Sequence, residues 1–404
     1  MRVLIDARTV RRGRTGVGIA AEEMVRALDA LLVPPRLPGI HGDHCDNSQE
    51  TGLSLAGPLA PSVDAMILPG TLSEWNTQGP LRTINLLEEG VDYQRHPAHE
   101  WDQWSGLPDR LRKGRYTHYW STSFAIPFRR IAGCIYIATI HDLAVFSHSH
   151  CFPKKFAWLT RLQIRNTARL ADWIHVPTDF VAEELRSCTG FPKARTFISP
   201  LGVSPYFSPW PLSRLPARDP ALPDQCRLEG RPFVAAPGGK DPRKNVPRLL
   251  QGFARILKEY PNLPHRLVLI GNLPPGGLPS DLSDRVVALG WLSREQVRAV
   301  YRHADAFAFV SMTEGFGLPV LEAMACGCPV MTSHAGSLPT VTGKAAVLID
   351  PLDCDSISLG LAALLMQSDS RLRLRALGLE RCSEFPWTRT VRPIAEIFQP
   401  QSWD

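Results

Sequence analysis

The sequence has 404 residues, 44% hydrophobic and 21% charged, which excludes disordered, collagen-like and low-complexity chains and leaves room for two domain cores. Lys and Arg number 45 against 39 Asp and Glu, a net charge of +6. That charge is too diffuse for a nucleic-acid footprint but suits anionic small ligands or an anionic membrane surface.

The N-terminal residues Val3-Leu4-Ile5 read as a strand, followed by a glycine turn at Gly13, Gly16 and Gly18 and a helix over 20–32. This is the opening unit of a doubly wound α/β domain. Asp6 and Arg8 interrupt the apolar core that a signal peptide needs. No apolar stretch is long enough to span a bilayer. Nine cysteines without framework spacing point to a reducing cytoplasm. Residues 33–62 read as a long loop, and 65–68 and 135–140 as buried parallel strands. A helix is predicted over 156–170 and a strand over 173–176. The Pro-rich, polar segment 206–231 is the best linker.

The alternation then restarts. Strands are predicted at 233–236, 267–270, 286–289, 306–310 and 329–332, with helices at 246–260, 294–303 and 318–325. Two α/β units with parallel sheets facing a cleft follow from this order.

The most informative segment runs from Ser311 to Val330, SMTEGFGLPVLEAMACGCPV. A strand ends near Ser311, and Pro319 stands in the first turn of the next helix, so the N–H groups of Gly315, Phe316, Gly317 and Leu318 are free to hold an anion. Glu314 and Glu322 flank that place and are suited to accept hydrogen bonds from sugar hydroxyls. A second segment, PGGKDPRKN over 237–245, sets cations between a strand and a helix, where a departing diphosphate could be stabilised.

The string EGFGLPVLEAMACGCPV, with two glutamates separated by seven residues, resembles the signature of retaining GT-B glycosyltransferases of family 4. The resemblance covers nearly the whole chain and is densest from Phe233 to Asp353. It implies two Rossmann-like domains facing a cleft: residues 1–205 for the acceptor, 206–385 for the nucleotide-sugar donor, and 386–404 as a C-terminal helix crossing back to the first domain. It implies that Glu314 contacts the donor sugar, Glu322 the ribose hydroxyls, and Lys244 the diphosphate. Some members carry an arginine where this chain has Gly238, so a second charge would come from Arg243 or Lys240. Apart from the resemblance, the turn Arg14-Thr15-Gly16-Val17-Gly18 follows the first strand, and its glycines allow close backbone approach opposite the anion site, so Gly16 and Gly18 are expected donor contacts, with Arg14 and Thr15 beside them. His141, in TIHDL over 139–143, matches a histidine lining the cleft. Thr178 stands where the family commonly has serine. Trp120 stands where a histidine often begins the stretch WSTSFAIP, and with Thr178 it is the expected acceptor-side contact.

The resemblance further implies a metal-independent enzyme of the EC 2.4 class that needs neither metal nor pyridoxal phosphate. A front-face mechanism is implied, in which the leaving diphosphate helps deprotonate the acceptor. The subgroup with IDAR, TIHDL and PRKN often uses GDP-mannose, so a cytoplasmic mannosyltransferase of polysaccharide assembly is expected, acting on a glycan or lipid-linked acceptor without nucleic acid. The alternatives are a UDP-sugar donor, a phosphorylase or epimerase on the same fold, or a non-catalytic nucleotide-binding subunit. Asp353-Cys354-Asp355 spells D-x-D but is read as a helix cap. Arg110, Arg112, Lys113 and Arg115, near Trp101, Trp104 and Trp120, form either a contact with anionic lipid at the inner membrane face or a solvated loop.

Overall fold

Two all-parallel sheets organise the chain, which was studied as a computed structural model. The structure describes residues 1–7, 16–32, 62–67, 81–85, 106–209, 219–226 and 230–398. The first sheet contains β1 Arg2–Asp6, β2 Ser62–Ile67, β3 Leu81–Asn85, β4 His118–Ser121, β5 Ile135–Thr139, β6 Trp173–Val176 and β7 Thr196–Ile198. Its order is β3-β2-β1-β4-β5-β6-β7. The second contains β8 Phe233–Pro237, β9 Arg266–Ile270, β10 Val286–Ala288, β11 Ala306–Phe309, β12 Val330–Ser333 and β13 Ala346–Ile349, in the order β10-β9-β8-β11-β12-β13. In both sheets the order reverses beside the first strand, between β1 and β4 and between β8 and β11. Open α/β sheets bind ligands off the carboxyl ends of strands at such a reversal.

The helices described with the first sheet are α1 Gly16–Leu32, α2 Leu107–Lys113, α3 Ala144–Ser147, α4 Lys154–Leu170 and α5 Asp179–Thr189. The second sheet carries α6 Val246–Glu259, α7 Arg294–His303, α8 Leu318–Ala325, α9 Leu338–Thr342, α10 Cys354–Leu365 and α11 Ser368–Cys382, and α12 Trp387–Ile397 ends the described chain. Helix α6 shows why these segments fold locally. Pro247 stands in its first turn, and Val246, Leu249, Leu250, Phe253 and Ile256 recur at helical spacing and are buried. At α7, the Ser293 side chain accepts from Gln296 N while the Gln296 side chain accepts from Ser293 N, a reciprocal cap that starts the helix.

The start of α1 and the packing of the linker depart from the expectations, and β3, β4, β7 and β13 are strands that the sequence pattern did not indicate. Helix α1 begins at Gly16, so Gly16 and Gly18 lie in its first turn and not in a loop before it. Strand β4 is flanked by polar residues, yet all four of its residues are buried. Part of the expected linker is packed: Asp219, Leu222 and Cys226 are buried, and Tyr206 and Phe207 meet edge to face at 5.7 Å. Asp353 caps α10 by accepting from Asp355 N at 2.9 Å, and Asp355 pairs with Arg255. The D-x-D spelling is therefore a helix start.

Helix α12 packs on α1 of the first domain. Thr390 Oγ1 donates to Pro200 O (2.7 Å), Ser199 Oγ donates to Thr390 O (2.8 Å), and the Phe398 ring lies 6.4 Å from Trp120. A Cβ at Gly202 would come within 2.5 Å of Trp387, so only glycine admits this crossing.

Candidate active site

Helix α8 starts at Gly317, whose backbone is left-handed at φ +96°, a conformation glycine adopts without penalty. The N–H groups of Gly315, Phe316, Gly317 and Leu318 donate to no acceptor among the described residues. Four unsatisfied donors at a helix N-terminus favour an anion. Gly315 lies against the other domain: a Cβ there would collide with the His141 carbonyl oxygen and sit 2.9 Å from Asp142 Cβ.

Lys244 reaches this loop from the turn before α6. Its Nζ donates to Glu314 Oε1 at 2.7 Å and stands 4.7 Å from the Phe309 ring centroid. Ser311 Oγ donates to the same carboxylate oxygen at 2.7 Å. Asn245, left-handed at φ 57°, anchors the turn by donating through its buried amide to Val310 O (3.2 Å) and Pro351 O (2.6 Å). Lys244 and Glu314 thus converge from two strand ends although 70 residues apart.

Arg243 is otherwise engaged. Its guanidinium pairs with Asp241 at 2.8 Å, approaches Asp142 of the first domain at 3.7 Å, and lies 4.9 Å from the Phe152 ring centroid. Lys240 is exposed. Gly238 cannot carry the family's arginine in this backbone, because a Cβ there would sit 2.7 Å from Asn272 O.

His141 Nε2 donates to Thr122 O at 2.9 Å, because a carbonyl oxygen only accepts. Burial lowers the imidazole pKa against the opposing pull of the Thr122 bond and Asp142. The neutral ring then holds its proton on Nε2 and leaves Nδ1 an acceptor. Glu322 lies on α8, half-buried, and its carboxyl is pushed up to about 8 by burial, with Arg294 pulling it down and Glu23 adding to the rise. Arg294 itself pairs with Glu23 of α1 at 2.6 Å. No residue pattern pointed to Glu23 or Arg294, and their junction with Glu322 is visible only in three dimensions.

The two residues expected on the acceptor side, Trp120 and Thr178, are both buried in this structure. Trp120 is 0% exposed; its indole donates to Thr139 Oγ1 (3.1 Å) inside the sheet, so the side chain has no surface to offer an acceptor. Thr178 is buried at the junction of the domains. Its hydroxyl donates to Gly315 O (3.1 Å), lies 2.7 Å from Ser337 Oγ and caps α5 by accepting from Val181 N. It therefore ties the first domain to the glycine loop. The loop with Arg14 and Thr15 lies outside the described residues, as do Trp101 and Trp104.

A profile of the family described as "Glycosyl transferases group 1" matches residues 231–367, the region holding Lys244, Glu314 and Glu322. The O-antigen chain mannosyltransferase B of Escherichia coli is 25% identical over 404 residues, covering 96% of both chains. The chain is a GT-B glycosyltransferase. This glycosyltransferase also resembles the MMP alpha-(1->4)-mannosyltransferase of Mycolicibacterium hassiacum, 36% identical over 187 residues and 44% of each chain. Sucrose-phosphate synthase of Thermosynechococcus elongatus shares its fold, with a TM-score of 0.71 at 18% identity over 98% of each chain.

Proposed function

We propose that this glycosyltransferase moves mannose from GDP-mannose to a hydroxyl of a glycan or lipid-linked oligosaccharide, with retention of configuration and without a metal or other cofactor. The observation that carries the reading is the Lys244 ammonium, 2.7 Å from Glu314 and beside the unpaired amides of 315–318. Bonds from the amides and Lys244 would hold the diphosphate. As the bond from sugar C1 to the phosphate oxygen breaks, charge grows on that oxygen, and a fixed cation stabilises it more than it stabilises the bound donor. The acceptor oxygen forms the new bond to C1 on the same face, and its proton passes to the leaving phosphate. Glu314, released from Lys244, would accept hydrogen bonds from sugar hydroxyls, and Glu322 from ribose. His141 would line the cleft as a neutral acceptor, and Gly16 and Gly18 would bring the start of α1 to the donor side.

The mannosyl specificity of the Escherichia coli and Mycolicibacterium hassiacum relatives supports mannose as the sugar. A thermal-shift panel of UDP, GDP, ADP and their sugars tests the donor: GDP and GDP-mannose should raise the melting temperature most, and a response confined to UDP compounds overturns the assignment. Turnover should survive exhaustive chelation. Complete loss in chelator, restored by magnesium or manganese, would remove the metal-free part of the proposal.

A further inference from the structure

Helix α4 buries Ala157, Thr160, Ile164 and Thr167 against the first domain, one stripe at helical spacing. The opposite face carries Lys155, Trp158, Leu162, Arg165 and Arg169, all exposed. Trp158 is 64% exposed and Leu162 45%, and at the helix start Phe156 is 50% exposed. Isolated exposed apolar residues need no explanation, but here an indole and a leucine sit one turn apart among cations. The helix holds five basic residues and no acidic one. Arg161 turns inward, donating to Val145 O at 2.7 Å, whereas Lys154, Lys155, Arg165 and Arg169 pair with no described carboxylate.

We propose that this face of α4 docks on an anionic lipid bilayer, with Trp158 and Leu162 entering the interface and Lys154, Lys155, Arg165 and Arg169 lying at the headgroups. Cations with no described carboxylate partner, flanking a short apolar ridge, complement a surface that is anionic outside and apolar just beneath. A polyanion without an apolar layer, such as a nucleic acid, would give Trp158 and Leu162 nothing to enter. The face also adjoins the cleft. Phe156 stacks on Phe152 at 5.9 Å, and Phe152 carries the Arg243 guanidinium at 4.9 Å, so docking sets the mouth of the site beside the headgroups. Bilayer binding rests on no assumption about donor or acceptor, although it fits a lipid-linked acceptor.

Co-sedimentation of the full chain with vesicles of phosphatidylglycerol and phosphatidylcholine, and with vesicles of phosphatidylcholine alone, tests the proposal. The wild type should partition strongly onto the anionic vesicles only. Trp158→Ser with Leu162→Ser, and separately Arg165→Gln with Arg169→Gln, should each weaken partitioning by about tenfold or more. Melting temperatures should change little, because all four side chains are exposed and, of the two arginines, only Arg165 makes a described ring contact, its guanidinium 5.6 Å from the Phe146 ring centroid. Wild-type partitioning of either double variant overturns the proposal. So does binding that ignores the apolar pair and vanishes in salt, since that describes adsorption to any polyanion. Turnover on a soluble acceptor reports on the transfer reaction separately and should be the same in all three proteins.

Discussion

Lys244 and Ser311 both donate to Glu314 Oε1, so two hydrogen bonds hold the carboxylate and fix the ammonium beside the glycine loop. Part of the lysine's interaction with a bound diphosphate is uniform, and only the charge added as the glycosidic bond breaks lowers the barrier. Lys244→Ala should therefore slow the single-turnover rate at saturating donor by roughly a hundredfold to a thousandfold, with a smaller loss in donor affinity by calorimetry. Lys244→Arg should restore only part, since a planar fork places charge differently from a compact ammonium. Normal turnover of the alanine variant at saturation would make Lys244 a binding residue only. Glu322 gives a prediction in pH. Its folded pKa of about 8 lies above the ordinary 4.5, so between those values the folded protein keeps a proton that the unfolded chain has released. The stabilisation it brings is full below pH 4.5 and is lost as pH rises through 8. Glu322→Gln stays neutral throughout, so its melting temperature should gain on that of the wild type from pH 5 to pH 9. A difference that does not change with pH would place the carboxyl in an ordinary environment.

At the scale of elements, the glycine loop and α8 were legible because a contiguous string encodes them: a strand end, glycines where backbone must approach backbone, then a proline in the first helical turn. Helices α7 and α8 span the residues their periodicity indicates. Strand β4 was not legible. His118 and Ser121 break its apolar run, yet the strand is buried because its polar and aromatic groups find partners across the sheet: Tyr119 Oη donates to Asp6 Oδ2 at 2.9 Å, and the Trp120 indole to Thr139. Trp120 is expected on the acceptor side through the resemblance alone, whereas its pairing with Thr139 holds the indole inside the sheet. Gly315 turns the element argument into a test. A Cβ there would meet the His141 carbonyl, a backbone atom that cannot rotate away, so Gly315→Ala must push the loop and the first domain apart. Turnover should fall by at least tenfold while the second domain's affinity for free nucleotide diphosphate changes little, because the strain lies at the junction. Equal loss of both would instead locate the damage in the loop itself.

Three contacts join the domains near the glycine loop and α8: Thr178 on Gly315 and Ser337, Arg243 toward Asp142, and Arg294 with Glu23. None was legible, because their partners are far apart in sequence, 271 residues for Glu23 and Arg294, and each side chain alone looks like an ordinary surface or capping residue. The Glu23–Arg294 pair is the informative one. Its side chains are 12% and 23% exposed, so it is shielded enough to contribute about 1.5–3 kcal/mol as a charged hydrogen bond. The same guanidinium holds down the pKa of Glu322, linking closure of the domains to the charge state of the carboxyl expected to meet ribose. Glu23→Gln should favour the open arrangement, seen as a larger radius of gyration without donor, and should raise the donor concentration for half-maximal rate. Losing Glu23 also removes a negative neighbour, so the Glu322 pKa should fall, and donor binding should change less with pH between 6 and 8 than in the wild type. Arg294→Gln opens the same junction but takes away the positive neighbour, so its Glu322 pKa should rise. Opposite pH responses with a shared increase in radius identify one junction that sets both closure and ionisation. If both variants shift the pH response the same way, Glu322 is governed by burial alone and the pair serves only to hold the domains together.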